Sequence, residues 1–158
     1  MIFVTVGTQK FQFNRLLQAI DAYSKKTDEE IFGQIGNSTY FPQNYEYKHF
    51  LDKNEFRHKM ESSDLIITHS GVATIIEALK LNKPVIVVPR LEMYGEHVDN
   101  HQVQIAESFD ESNLVLKCSD LNQIIFLVDR AKKQKFKKYV SQRNGVINII
   151  EDYLEKNV

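Results

Sequence analysis

Two short runs, Leu65-Ile66-Ile67 and Val85-Ile86-Val87-Val88, are apolar at every position. A strand with one wet face alternates apolar and polar residues, so uninterrupted runs this short fit strands covered on both faces. Pro84 and Pro89 bracket the second run and end it sharply. Between and around these runs, apolar residues recur at helical spacing. Phe13, Leu16, Leu17 and Ile20 form one stripe, and Val72, Ile75, Ile76 and Leu79 another. Phe56 and Met60 mark a short helix, and Gln102, Ile105, Ala106 and Phe109 a further one. Residues 2–6, 31–35, 64–69 and 113–117 read as further strands, with a weaker one over 47–51. Ser119 is the expected cap of a helix carrying Leu121, Ile124, Ile125 and Val128. A last helix is expected over 145–158, with Val146, Ile149, Ile150, Tyr153 and Leu154 on one face.

Strands alternating with helices imply βαβ units and a parallel sheet. The fold expected is α/β: one Rossmann-like, doubly wound parallel sheet of about six strands. At 158 residues the chain is about one domain long. With 42% hydrophobic and 26% charged residues it can fill a core and is not disordered. A net charge of -1 argues against a dedicated nucleic-acid partner. The single Cys118 forms no internal disulfide, which fits a reducing, cytoplasmic setting. No apolar run approaches the roughly 18 residues that span a bilayer, and the first residues lack the marks of a signal peptide.

Ligands of doubly wound sheets bind beyond the carboxyl ends of the strands. Three loops there carry chemistry. Gly7-Thr8 follows the first strand, where glycine lets a ligand approach the backbone. No G-x-G-x-x-G or G-x-x-x-x-G-K is present, so a plain βα turn is the competing reading. His69-Ser70-Gly71 leads from a buried strand into a helix bearing Thr74 and Glu77. Free N–H groups and hydroxyls there suit a phosphate, and Glu77 can accept hydrogen bonds from sugar hydroxyls. The bland alternative is a capped helix with a surface Glu. Residues 94–102 gather Glu96, His97, Asp99, Asn100, His101 and Gln102 at another helix start. His97 and His101, four apart, are compatible with a metal, but no Cys or H-E-x-x-H accompanies them, so no metal is expected.

Together these pieces resemble the donor-binding half of a GT-B glycosyltransferase. The pattern runs through His69, Gly71, Thr74, Glu77, Lys83-Pro84, Pro89 and His101-Gln102. It is similar to the UDP-GlcNAc transferase superfamily, including the lipid II enzyme of peptidoglycan synthesis and the small catalytic subunit acting on dolichol-linked sugar. It also resembles short bacterial capsule and exopolysaccharide β-1,4-galactosyltransferases, which carry Asp-Asn-His-Gln as at Asp99-Asn100-His101-Gln102. The resemblance implies a catalytic subunit in capsule or exopolysaccharide synthesis that binds a UDP-sugar. Ser70, Gly71 and Thr74 would hold the diphosphate, with His69 beside it, and Glu77 the ribose. The backbone of Leu51 would read uracil, Gly7 and Thr8 would line the phosphate side, and Asn100, His101 and Gln102 would face the sugar. His101 departs from the family's Gln-Gln or Asp-Gln pair, which leaves the donor sugar open. No cofactor is implied, and no Asp-x-Asp is present, which fits metal-independent transfer.

A GT-B enzyme needs two such halves. The resemblance therefore implies a single UDP-sugar-binding domain over 1–158 and a membrane-anchored partner subunit that supplies the acceptor half and the general base. The acceptor would be a lipid-linked saccharide. The chain itself would be cytoplasmic, recruited to the inner face of the membrane, with 145–158 as the contact. The alternatives are a non-catalytic nucleotide-binding or assembly subunit, and a UDP-GlcNAc or UDP-GlcA transferase subunit. The basic run 132–138, flanked by Arg130 and Arg143, reads either as a solvated face or as a surface for anionic lipid. Deleting residues 145–158 should abolish capture of the co-expressed partner in a pull-down; unchanged capture would contradict that assignment.

Overall fold

The computed structural model describes residues 1–140. Six parallel strands form one sheet: β1 (Ile2–Thr5), β2 (Ile31–Gln34), β3 (Glu46–Lys48), β4 (Leu65–Thr68), β5 (Val85–Val87) and β6 (Leu116–Lys117). The strand order is β3-β2-β1-β4-β5-β6. Five α-helices alternate with them: α1 (Asn14–Ser24), α2 (Lys53–Ser62), α3 (Val72–Lys80), α4 (His101–Glu111) and α5 (Ile124–Lys133). The expected doubly wound sheet is therefore present. Its order reverses between β1 and β4, which makes the crevice beyond their carboxyl ends the topological switch point.

Burial explains the placement. β1, β4 and β5 are buried at every position, as their apolar runs require. Alternate residues serve opposite faces. Ile2, Val4, Leu65 and Ile67 pack with α1 and α5, while Phe3, Ile66, Val85 and Val87 pack with α2, α3 and α4. β3, one of the two edge strands, is mostly exposed. Among the described residues no helix is long and apolar enough to cross a membrane.

Three boundaries differ from expectation, each for a local reason. The strand expected over 47–51 is Glu46–Lys48. Ladder pairing ends as the Leu51 N–H turns to the Gln34 side chain, at 3.1 Å. The strand expected from Asn113 begins at Leu116, because Asn113 takes a left-handed conformation (φ 55°) that terminates α4. The Leu114 N–H then returns to the Phe109 carbonyl, closing the helix end. Ser119 does not cap the last described helix. Asp120 accepts from the Asn122 N–H at 2.9 Å and opens a short 3-10 turn that carries Leu121 and precedes α5. The helix expected over 145–158, and Arg143, lie outside the described residues.

Asp21, buried on α1, fixes the long loop between β2 and β3. Its carboxylate accepts from the Tyr40 hydroxyl, the Gln43 and Asn44 N–H groups, and the Asn44 side chain. Burial alone would raise the Asp21 pKa, but bonds from Tyr40, Gln43 and Asn44 outweigh it and hold the pKa below its ordinary value. Asp21→Ala should lose about 2–3 kcal/mol in denaturant unfolding, since it leaves several donors unpaired. The depressed folded pKa makes its stabilisation complete above the unfolded value of about 3.9, with loss as pH falls through the folded pKa.

Candidate functional site

The carboxyl edge gathers most of the candidate residues. Gly7 follows β1 with φ +78°, and its N–H bonds the Thr5 hydroxyl at 3.2 Å. His69 follows β4 and is buried. Its Nδ1 accepts the Gly71 N–H at 3.0 Å, which assigns the imidazole proton to Nε2. The ring fills the space that side chains on two glycines would need. A Cβ on Gly7 would come within 2.5 Å of His69 Nε2, and one on Gly71 within 2.2 Å of Cε1. Both loops can therefore close over the imidazole only as glycine. Burial, with added repulsion from Arg90 and His97, pushes the His69 pKa down to about 3. His69 is thus a neutral floor of the loop at physiological pH.

α3 begins directly above this floor. Its N-cap is Gly71, which offers no side-chain cap. The first-turn N–H groups have no intrahelical partner and carry the positive end of the helix dipole. Thr74 is half-buried on that turn, and Glu77, also half-buried, lies three residues further on. Ser70 is buried, and its N–H donates to Gln102 Oε1 at 3.2 Å. Four buried side-chain atoms at the ends of β4 and β5 have no hydrogen-bond partner among the described residues: Thr68 Oγ1, His69 Nε2, Ser70 Oγ and Arg90 Nε. A buried polar atom left unpaired costs about 1–3 kcal/mol, so such clustering marks a place where stability gives way to another use.

The loop after β5 is held by a buried charge network. Arg90 is fully buried, and its guanidinium donates to the carbonyls of Val6, Phe11, Gln12 and Glu96. Its ring neighbour is Phe13, 5.0 Å from the guanidinium carbon. Burial lowers the Arg90 pKa to about 10, with Glu96 opposing the shift, so the group stays charged. Glu96, also fully buried, pairs with Arg15 through two 3.0 Å contacts. Gln102 Oε1 accepts the N–H groups of both Ser70 and Arg90, tying the ends of β4 and β5 to the start of α4.

The remaining candidates sit around this frame. Asn100 Oδ1 accepts the Glu92 N–H at 3.0 Å. His101 directs Nδ1 to Asp99 Oδ2 at 3.1 Å, and Asp99 Oδ1 lies 3.1 Å from His97 Nδ1. Two imidazoles thus share one carboxylate. Among the described residues no group of three or more His, Cys, Asp or Glu is arranged to hold a metal ion. Thr8 is exposed. Leu51 joins through a buried relay. Gln34 accepts the Leu51 N–H and donates to the same Thr5 hydroxyl that receives Gly7. The Leu51 N–H is therefore committed internally.

Arg90, Gln34 and Thr5 are the organising residues that sequence reasoning passed over, and Glu96 was named without its structural role. An arginine set directly after the buried run ending at Pro89 was the available signal.

A parallel sheet of order 3-2-1-4-5-6 with its crevice at the switch point is the doubly wound arrangement of nucleotide-binding domains. The chain belongs to the glycosyltransferase family 28 C-terminal domain family, whose pattern matches residues 1–153. The UDP-N-acetylglucosamine transferase subunit ALG13 of Candida albicans is 35% identical over 89 residues, covering 56% of this chain and 29% of that protein. The UDP-N-acetylglucosamine--N-acetylmuramyl-(pentapeptide) pyrophosphoryl-undecaprenol N-acetylglucosamine transferase of Clostridium tetani is 36% identical over 113 residues, covering 66% of this chain and 30% of its own length. The chain thus spans under a third of either relative. An NMR structure of ALG13 superposes with a TM-score of 0.61 at 20% identity, covering 94% of this chain and 93% of that one, and shows the shared fold.

Gly71→Ala should destabilise the protein by about 1–3 kcal/mol, through overpacking against the imidazole. Adding His69→Ala should recover part of that loss, so the two changes are non-additive in thermal or urea unfolding. In an NMR titration His69 should stay neutral throughout pH 5–8. Its depressed folded pKa means that the unfolded state binds more protons, so stability falls as pH drops below about 6.5 towards 3.

Proposed function

We propose that this chain is the catalytic, donor-binding subunit of a glycosyltransferase that takes a UDP-sugar and acts on a lipid-linked saccharide. The observation that carries the reading is the uncapped N-terminus of α3, set at the switch point beside four buried, unpaired polar atoms. Glycosyl transfer builds negative charge on the departing diphosphate. A fixed helix N-terminus stabilises that charge as it develops, which is how such a site lowers the barrier. Ser70, Gly71 and Thr74 hold the diphosphate, and Gly7 and Thr8 line the approach. Glu77 accepts from the ribose hydroxyls, where a carboxylate suits two vicinal donors. The Leu51 carbonyl reads the base. No step is assigned to a metal.

His69 acts from beneath the loop. Its Nε2–H is the donor that a small displacement of Gly7 or Gly71 would bring towards the phosphates. Asn100, His101 and Gln102 face the transferred sugar. The names of the relatives support N-acetylglucosamine as that sugar. A second reading, β-1,4-galactosyl transfer in capsule or exopolysaccharide synthesis, rests on the run Asp99-Asn100-His101-Gln102. A membrane-anchored partner subunit supplies the acceptor half and the general base, and brings this chain to the inner face of the membrane.

Calorimetry with UDP tests the site. The protein should saturate below millimolar UDP, and Ser70→Ala and Glu77→Ala should each weaken binding by about tenfold or more, the loss of one hydrogen bond to a charged group. Failure to saturate would favour a non-catalytic assembly subunit. Transfer assays with the co-expressed partner and UDP-GlcNAc, UDP-Gal or UDP-GlcA then decide the sugar.

A further inference from the structure

Six of the nine residues from Arg130 to Lys138 are cationic and none is acidic, in a chain whose net charge is only -1. The rest of the sequence is therefore net negative, and this run is its densest cluster of cations. That place is built rather than loose. Beyond α5 the chain is strapped to the loop before β6. The Lys137 N–H donates to the Asn113 carbonyl at 2.9 Å, and the Asn113 side chain bonds both the Lys135 carbonyl and the Gln134 amide. Lys132 pairs with Glu29. No ion pair among the described residues neutralises Lys133, Lys135, Lys137 or Lys138.

Apolar surface accompanies the charge. The inward stripe of α5, Ile124, Leu127, Val128 and Ala131, packs in the core. Its outward stripe is Phe126, Asp129, Arg130 and Lys133, and these residues line a shallow groove of about 430 Å³. Phe126 is 62% exposed. A further groove of about 300 Å³ is lined by Pro84, Leu114, Phe136, Lys137 and Lys138 among others. Lysines flanking an exposed aromatic, with Asp129 the acid of that stripe, match the boundary region of a bilayer, where cations meet lipid phosphates and aromatics sit at headgroup depth.

We propose that the outer face of α5 and the strap 134–138 dock directly on an anionic lipid bilayer. The contact is separate from the donor site, since α5 runs back from the carboxyl edge and its basic end lies with Glu29 and Asn113 at the opposite edge of the sheet. With α5 flat on the membrane, the strands lie along the surface and the carboxyl edge opens sideways, close to a lipid-linked acceptor. The docking also gives the chain a membrane contact of its own, independent of any recruiting subunit.

Co-sedimentation of the full chain with vesicles tests this. Vesicles of phosphatidylglycerol mixed with phosphatidylcholine should pull the protein down, pure phosphatidylcholine should not, and added salt should release it. Each cation near an anionic leaflet strengthens partitioning about fivefold, so combined Lys133→Gln, Lys135→Gln and Lys137→Gln should weaken it about a hundredfold. Phe126→Ser should weaken it without changing the salt dependence. UDP binding should be unchanged in both variants, which separates failure here from failure of the donor reading. Equal binding to uncharged vesicles, or full binding by the triple variant, would overturn the proposal.

Discussion

The carboxyl edge depends on one buried guanidinium. Arg90 reaches from the end of β5 to carbonyls after β1 and before α1, and to the Glu96 carbonyl in its own loop. An unpaired charge at such depth would cost several kcal/mol. Here four carbonyl acceptors and the nearby Glu96 carboxylate offset it. Glu96 in turn holds Arg15 on α1 and the N–H of Leu91. Loops from three parts of the sequence are thereby fixed to one another. Gln102 completes the frame by accepting backbone donors from both β4 and β5.

This frame explains why the site can hold unpaired polar atoms. Packing and paired charges elsewhere stabilise the edge, so the β4–α3 turn need not satisfy its own donors. His69 supplies bulk under two glycines without adding charge, because burial keeps it neutral. The helix start above it remains uncapped and positive. A site of this kind suits a diphosphate because its donors are already oriented, so little reorganisation is needed when charge develops.

Much of this was legible in the residues. Apolar runs covered on both faces, such as Leu65-Ile66-Ile67, fixed the central strands, and the Val72 to Leu79 stripe fixed α3. The glycines flanking His69 were visible as turns, and the sequence placed them at strand ends. Their reason was not visible, since the imidazole meets Gly7 from far along the chain. Arg90, Glu96, Gln34 and Thr5 escaped for the same cause. Each acts through partners distant in sequence, which neither periodicity nor local motif records. Asn113 shows the opposite failure: a local preference for left-handed backbone overrode an apolar run that looked like strand. Gln102 was expected to face the sugar, and the structure shows its side-chain carbonyl committed to the frame.

A nucleoside diphosphate bound at the uncapped start of α3 should be visible by backbone amide NMR during titration with UDP. Saturable shifts are expected at Gly7, at Ser70 through Thr74, and around Leu51. Shifts confined to the opposite edge near Pro84 and Asn113, or none at saturating UDP, would contradict such binding.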